Sequence, residues 1–226
     1  MIKFYFSGAP NPLKVALFLE EAGLDYEPIP IDTRKGEQHA DSFRALNPNG
    51  KVPVIVDGDA TVFDSNAILL YLADKTGQFL PAASDANRGQ MLSWLMFVAT
   101  GLGPFSGQSV HFRHHAPETL DYAVNRYTFE AKRHLSILDD HLKGHQFMID
   151  NTYSIVDMDV WGWARMAPFV LGDDAALEQF SNLHRLVDII ETRDAAKRAV
   201  ALKDRFTFKT EMDDEARHNM FRHIDN

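Results

Sequence analysis

Two different hydrophobic patterns divide this 226-residue chain. Up to about residue 76, short runs of β-branched and aromatic residues alternate with stretches whose apolar residues recur at helical spacing. Farther on, only helical spacing is present, in segments near 87–101, 117–143, 154–170, 174–191 and 194–203. We therefore expect an α/β domain at residues 1–76, a linker at 77–86, and an all-helical domain with a C-terminal tail at residues 87–226.

The segment 47–72 contains the most specific local pattern. The Val-Ile-Val at 54–56 predicts a buried strand, and the Asp-Gly-Asp after it predicts a tight turn into a second strand at 61–63. Ser65 stands where a helix N-cap belongs, and apolar residues follow it at helical spacing. The segment is therefore predicted to form a hairpin followed by a capped helix.

A proline just before this hairpin points to a binding function. Pro53 has no N–H to donate to a β-ladder, and its bond to Val52 is a candidate cis peptide. A cis bond would direct the backbone N–H and C=O of Val52 into a cleft. An extended ligand can pair with that backbone while its carboxylate and amine reach Ser65 and Asp64. These residues predict a binding site for a small, charged, peptide-like molecule.

The composition limits the partners and the chemistry. With 32 acidic and 23 basic residues the formal charge is −9, which argues against nucleic acid or anionic membranes as partners. The sequence shows neither a signal-peptide pattern nor an apolar run of the roughly 20 residues that span a bilayer, so a cytoplasmic location is expected. The absence of cysteine excludes a disulfide scaffold and a cysteine nucleophile, so any reacting thiol must come from a ligand.

The order of strand, helix, strand, loop, Val-Pro, hairpin and Asp-Ser helix resembles the glutathione-binding half of the cytosolic glutathione transferases. The resemblance implies a thioredoxin-like α/β N-terminal domain joined to an all-α C-terminal domain. It also implies an enzyme that uses glutathione, reduced or oxidised, as co-substrate and needs no metal. The partners implied are glutathione, a small-molecule disulfide or electrophile, and a second copy of the chain in a homodimer.

Further motifs are similar to the Nu class of bacterial glutathione transferases. They are Ala9-Pro10-Asn11, the Lys-Gly-Glu-Gln at 35–38 and the Gly-Leu-Gly-Pro-Phe-Ser-Gly-Gln at 101–108. Nu-class enzymes are dimers that bind two glutathiones, or oxidised glutathione, in each site and reduce disulfides. The glutathione-binding residues that this resemblance implies are Asn11, Gln38, Lys51, Val52, Pro53, Asp64, Ser65 and Arg126. Gln38 would reach the glycine end of the ligand, and Arg126 one of its carboxylates.

Asn11 and Ser7 are the candidate catalytic residues. A free thiol has a pKa of about 8.5, so a reactive thiolate near neutral pH needs hydrogen-bond donors and a helix N-terminus. In the glutathione transferases a hydroxyl, amide or cysteine at the end of the first strand supplies such a donor. Asn11 offers an amide there, or serves as a plain N-cap, and Ser7 offers a hydroxyl. Tyr5 is a third candidate, but it lies within the strand and is assigned to the core. Ala9 replaces the hydroxyl that the family usually has before Pro10.

Three functions remain open at this point. The first is glutathione-dependent reduction of disulfide bonds with two bound glutathiones and no protein cysteine. The second is conjugation of glutathione to electrophilic small molecules. The third is a glutathione-binding regulatory or interaction protein, because the same Ala-Pro-Asn is found in a fungal nitrogen regulator with a transferase fold. The sequence places the tail, 204–226, either over the active site or across the dimer.

Two other groups of residues have simpler interpretations. Ser154 and Asp157 have the spacing of a capping box, which we assign to the folding of a helix and not to catalysis. His111, His114 and His115 lack a complete set of metal ligands, and we place them at the interdomain mouth.

Overall fold

The computed structural model describes residues 1–149 and 151–222. The chain forms two compact units: one contains residues 1–71 and the chain from residue 195 onward, and the other contains residues 72–194. The last part of the chain therefore belongs to the same unit as the first strands. The expected division into residues 1–76, 77–86 and 87–226 remains a prediction.

Strands and helices alternate in the first unit. They are β1 (Ile2–Phe6), α1 (Pro10–Glu21), β2 (Tyr26–Pro30), α2 (Asp41–Arg44), β3 (Val54–Asp57), β4 (Ala60–Phe63) and α3 (Ser65–Thr76), with a 3₁₀ turn at Glu37–His39. The four-stranded sheet has the order β2-β1-β3-β4; β1 and β2 are parallel, and the other neighbours are antiparallel. Pro28 and Pro30 lie on β2, an edge strand of the sheet, where residues that cannot donate to a β-ladder are tolerated.

Helix α1 begins with a proline. Pro10 occupies its first position, where a missing N–H has no helical partner to lose. Ala9 is the N-cap residue and makes no side-chain cap. Residues 15–19 of this helix are all buried, so packing against the sheet stabilises α1 in place of capping.

The second unit is built of helices. They are α4 (Asp85–Phe97), α5 (Gly103–His114), α6 (Asp121–His141), α7 (Ile155–Ala164), α8 (Ala167–Leu171) and α9 (Ser181–Glu191), and α10 (Asp194–Ala201) begins at its end. Leu138 of α6 and Trp161 of α7 are fully buried in its core. The predicted fold class, a thioredoxin-like α/β part and an all-α part, is confirmed. Within residues 1–149 and 151–222, no helix combines the length and apolarity needed to cross a membrane.

Helix α5, which follows a π-helical turn at Val98–Leu102, is missing from the sequence-based assignment. Glycine and proline have low helix propensity, so the pattern at 101–108 does not predict a helix. In the structure, a Cβ at Gly101 would collide with the imidazole of His134 on α6, so the glycine permits a close approach. Pro104 lies in the first turn of α5, where proline's lack of an N–H is tolerated. Tertiary packing here overrides the local preference.

Helix α7 carries the predicted capping box. The carboxylate of Asp157 accepts hydrogen bonds from the backbone N–H of Ser154 at 2.8 Å and from the backbone N–H of Met148 at 2.8 Å. The Ser154 hydroxyl caps the first turn and also lies 3.0 Å from Asp157 Oδ2. Burial raises the pKa of Asp157 to about 7 despite these bonds, which favour the charged form.

The last part of the chain returns to the first unit. After α10, a 3₁₀ turn (Leu202–Arg205) leads to Phe206 and Phe208, whose ring centroids lie 5.5 Å and 6.0 Å from that of Phe6 on β1. A short helix, α11 (Asp214–Met220), follows. These aromatic contacts fix the tail to the sheet.

Candidate functional site

The predicted site residues of the first unit lie near the strand ends at one end of the sheet. Tyr5 is paired with Val54, and Val54 with Phe63, so the ends of β1 and β4 lie beside the start of β3. Since β1 and β2 are parallel, β2 also ends at this end of the sheet. The positions that follow or precede these strand ends are Ser7, Pro53, Asp64 and the loop with Gln38. The fold therefore brings these positions together at one end of the sheet.

The peptide bond between Val52 and Pro53 is cis, as predicted. Val52 packs against the buried cluster of Ile31, Phe43 and Val54, while Lys51 before it is exposed. Asn47, which is 2% exposed, donates from Nδ2 to the backbone carbonyl of Lys51 at 2.7 Å. The sequence analysis did not identify this bracing residue, although the Asn-Pro-Asn-Gly turn pattern at 47–50 is a signal for it.

Asp64, and not Ser65, is the N-cap of α3. Asp64 Oδ1 accepts from the backbone N–H of Asn66 at 2.9 Å and of Ala67 at 3.1 Å, so the predicted capping role of Ser65 is wrong. Asp64 has a positive φ of 75°, a strained conformation that is common at ligand-binding positions. Ser65 is buried at the first position of α3 and donates to Asn66 Oδ1 at 3.1 Å. An exposed carboxylate thus lies next to a helix N-terminus.

Asn11 and Ser7 occupy different kinds of position. Asn11 is the second residue of α1 and is half-buried, and the cap position belongs to Ala9, so the alternative role of Asn11 as an N-cap is excluded. Ser7 Oγ accepts from the backbone N–H of Ala9 at 3.4 Å in a local turn. The Tyr5 ring lies 5.9 Å from that of Phe43 and belongs to the core, as predicted. The side-chain amide at the start of α1 is therefore that of Asn11.

Gln38 is 6% exposed and lies under the last helix of the chain. Its Nε2 donates to the carbonyl of Thr33 at 3.1 Å and to the carbonyl of Asn219 in α11 at 3.0 Å. Its Oε1 is buried without a hydrogen-bond partner in the described part of the chain. A Cβ at Gly50 would lie 3.2 Å from the Gln38 carbonyl, so this residue also adjoins the loop that leads to Val52.

Arg126 lies in the second unit, on α6. Its guanidinium pairs with Glu130, and Arg133 Nε donates to the same carboxylate at 2.9 Å. The hydrogen bond with Glu130 raises the pKa of Arg126, and the two arginines together lower the pKa of Glu130. The Arg126 side chain is 47% exposed, so a permanently charged group is fixed by one partner with part of its surface open.

His114, one of the three histidines of α5 and its C-terminus, contacts α8. The His114 ring is stacked on that of Phe169 with centroids 4.1 Å apart, and its Nε2 lies 2.9 Å from the Phe169 carbonyl. In the portion of the chain that is described, no group of three or more His, Cys, Asp or Glu side chains is arranged to hold a metal ion. The sequence-based expectation of a role at the interdomain mouth remains a prediction.

Comparison with known proteins gives consistent matches. Residues 1–74 match the family described as "Glutathione S-transferase, N-terminal domain". The chain is 43% identical over 170 residues to the disulfide-bond oxidoreductase YfcG of Escherichia coli, across 72% of this chain and 79% of that protein.

Two solved structures share the fold over most of their length. A glutathione transferase family member from Pseudomonas fluorescens with two glutathione bound has 33% identity and a TM-score of 0.82, over 88% of this chain and 92% of that one. A glutathione transferase from Pseudomonas putida, with one glutathione disulfide bound per subunit, has 35% identity and a TM-score of 0.81, over 88% of this chain and 90% of that one. Together with the site at the end of the sheet and the matching N-terminal domain, these similarities show that the chain belongs to the glutathione S-transferase family of enzymes.

Proposed function

We propose that this protein reduces disulfide bonds with glutathione, using two glutathiones bound in one site and no cysteine of its own. The observation that carries the proposal is the position of the cis peptide of Val52 and the capping carboxylate of Asp64 at the same end of the sheet. The chain that holds them contains no cysteine. The names and bound ligands of the relatives support it: YfcG is a disulfide-bond oxidoreductase, and the Pseudomonas proteins hold two glutathiones or one glutathione disulfide.

Backbone pairing and charge would place the first glutathione. Its peptide backbone pairs with the N–H and C=O of Val52, between Lys51 and Pro53. Its γ-glutamyl amine faces the exposed carboxylate of Asp64. The neighbouring carboxylate lies at the N-terminus of α3, beside Ser65, where the helix dipole favours negative charge. Gln38 is proposed to bind the carboxylate at the glycine end, and Arg126 a carboxylate of one of the two bound glutathiones.

The proposed chemistry is a pair of thiol–disulfide exchanges. The thiolate of one glutathione attacks a sulfur of the substrate disulfide, forms a mixed disulfide and releases the first substrate thiol. The second glutathione attacks the glutathione sulfur of the mixed disulfide, releases the second thiol and leaves glutathione disulfide. Asn11 donates its side-chain N–H to the attacking sulfur and, with the N-terminus of α1, favours the thiolate. Ser7 is the second candidate donor.

We also propose that the protein is a homodimer of the Nu class that works in the cytoplasm. Tyr122 and Phe129 on α6 are 83% and 63% exposed, and such large apolar side chains are suited to contact a second copy. A reducing compartment supplies the glutathione and keeps it reduced.

Calorimetric titration with oxidised and with reduced glutathione tests the proposal. We expect the oxidised form to bind more tightly, with one molecule per subunit, and a model disulfide to be reduced at the expense of glutathione. Saturable binding of the reduced form alone, with rapid turnover of an aromatic halide, would instead indicate conjugation to electrophiles. Binding without turnover of either substrate would indicate a regulatory protein, and no binding would contradict all three functions.

A further inference from the structure

The C-terminal segment 206–220 lies across the loop 32–39. The backbone N–H of Lys209 donates to Asp32 Oδ2 at 2.6 Å, and Arg34 Nη1 donates to the Lys209 carbonyl at 2.8 Å. Asn219 Nδ2 donates to the carbonyl of Arg34 at 3.0 Å. A Cβ at Gly36 would lie only 2.8 Å from Asn219 Oδ1, so the helix and the loop are closely packed.

Two side-chain donors of this loop converge on a single oxygen of α11. Gln38 Nε2 lies 3.0 Å and His39 Nε2 lies 2.8 Å from the backbone carbonyl of Asn219. A carbonyl only accepts, so both nitrogens present N–H groups to it. Two N–H donors directed at one oxygen can also bind a carboxylate oxygen. The Asn219 carbonyl therefore occupies a position that suits an anionic ligand.

The docked helix is held weakly compared with the core. α11 has seven residues, and only Ala216 among them is buried. Its remaining support is polar: Asp213 caps it, and Lys209 pairs with Asp213 at 2.9 Å. So short a helix is not stable by itself, so its docking depends on these polar contacts. A ligand with moderate affinity for the same donors can displace it.

We propose that α11 is a self-inhibitory cover of the glutathione site. In the covered state the Asn219 carbonyl takes the N–H groups of Gln38 and His39. In the open state a carboxylate at the glycine end of glutathione takes them. This inference rests on the proposed function, in which Gln38 binds that end of the ligand. Helix and ligand compete, so the apparent dissociation constant exceeds the intrinsic one in proportion to the covered population.

The test compares the affinity for reduced glutathione of the full chain, a chain that ends at Thr210, and full-length Ala216→Arg. The shortened chain keeps Phe206 and Phe208 on the sheet, and the arginine is too large for the buried Ala216 position. If nine-tenths of the molecules are covered, both changes will tighten binding about tenfold. Arg217→Ala is the matched control, because Arg217 is exposed on the same helix.

Further outcomes separate this inference from the proposed function. In the chain that ends at Thr210, Gln38→Ala should abolish the gain in affinity. Equal or weaker binding after truncation, in a chain whose circular dichroism and melting are unchanged, overturns the self-inhibition and leaves the proposed function intact. A gain that survives Gln38→Ala overturns the competition at this residue. No glutathione binding by any of the variants overturns both.

Discussion

At the scale of single residues, the proposed thiol donor is the side-chain amide of Asn11 at the start of α1. Asn11 lies in the first turn of this helix, whereas Ser7 lies before the helix, in a turn where its hydroxyl oxygen accepts the N–H of Ala9. We therefore expect Asn11→Ala to reduce kcat/KM for a model disulfide about 10²-fold, a size typical of losing one donor to a developing anion. Ser7→Ala should lower it by less. Steady-state kinetics of both variants decide between them, and the reverse ranking would move the thiol donor to Ser7.

A second residue-scale prediction concerns the support of the Val52 loop. Asn47 is buried and donates to the Lys51 carbonyl, one residue before the cis peptide, so it orients the backbone that would pair with glutathione. Asn47→Ala should weaken glutathione binding about tenfold, because losing one buried hydrogen bond costs about 1–3 kcal/mol. Asn49→Ala, in the same turn, is the control. Isothermal calorimetry measures both, and equal affinities in the two variants would remove Asn47 from the site.

At the scale of elements, helix α7 gives a pH-dependent stability. Asp157 has a pKa of about 7 in the folded protein and about 3.9 when unfolded, so the folded state binds its proton more tightly. The stability from this group is complete below pH 4, is lost as the pH rises to about 7, and is constant above. The slope is at most about 1.4 kcal/mol per pH unit. Urea unfolding of the wild type and Asp157→Asn at several pH values tests it; parallel profiles would contradict it.

At the scale of the whole molecule, the exposed aromatic residues of α6 predict the oligomeric state. Phe129 is 63% exposed, and a carboxylate there would be desolvated without a partner if a second copy covers it. Phe129→Asp should therefore weaken the dimer by more than about tenfold, as light scattering after size exclusion would show. Glu178→Lys, at an exposed position on another segment, is the control. A dimer of unchanged stability would place the interface elsewhere.

The sequence by itself determined the features that arise from near neighbours along the chain. Short runs of β-branched and aromatic residues predicted the four strands, and apolar residues at helical spacing predicted most helices. The proline at 53 predicted the cis peptide, and the Ser-x-x-Asp spacing predicted the cap of α7. Each depends on interactions within a few residues, so a local pattern contains the information. The absence of cysteine likewise set the requirement that the reacting thiol come from a ligand.

Only the tertiary structure decided how distant segments meet. The strand order brings Ser7, Pro53 and Asp64 to one end of the sheet. Packing against His134 allows the glycine-rich segment to form a helix, although its helix propensity is low. The contact between Gln38 and Asn219 joins positions 181 residues apart. Such contacts depend on the packing of the complete unit, in which many weak contributions add up to override local preferences, so no short pattern in the chain reveals them.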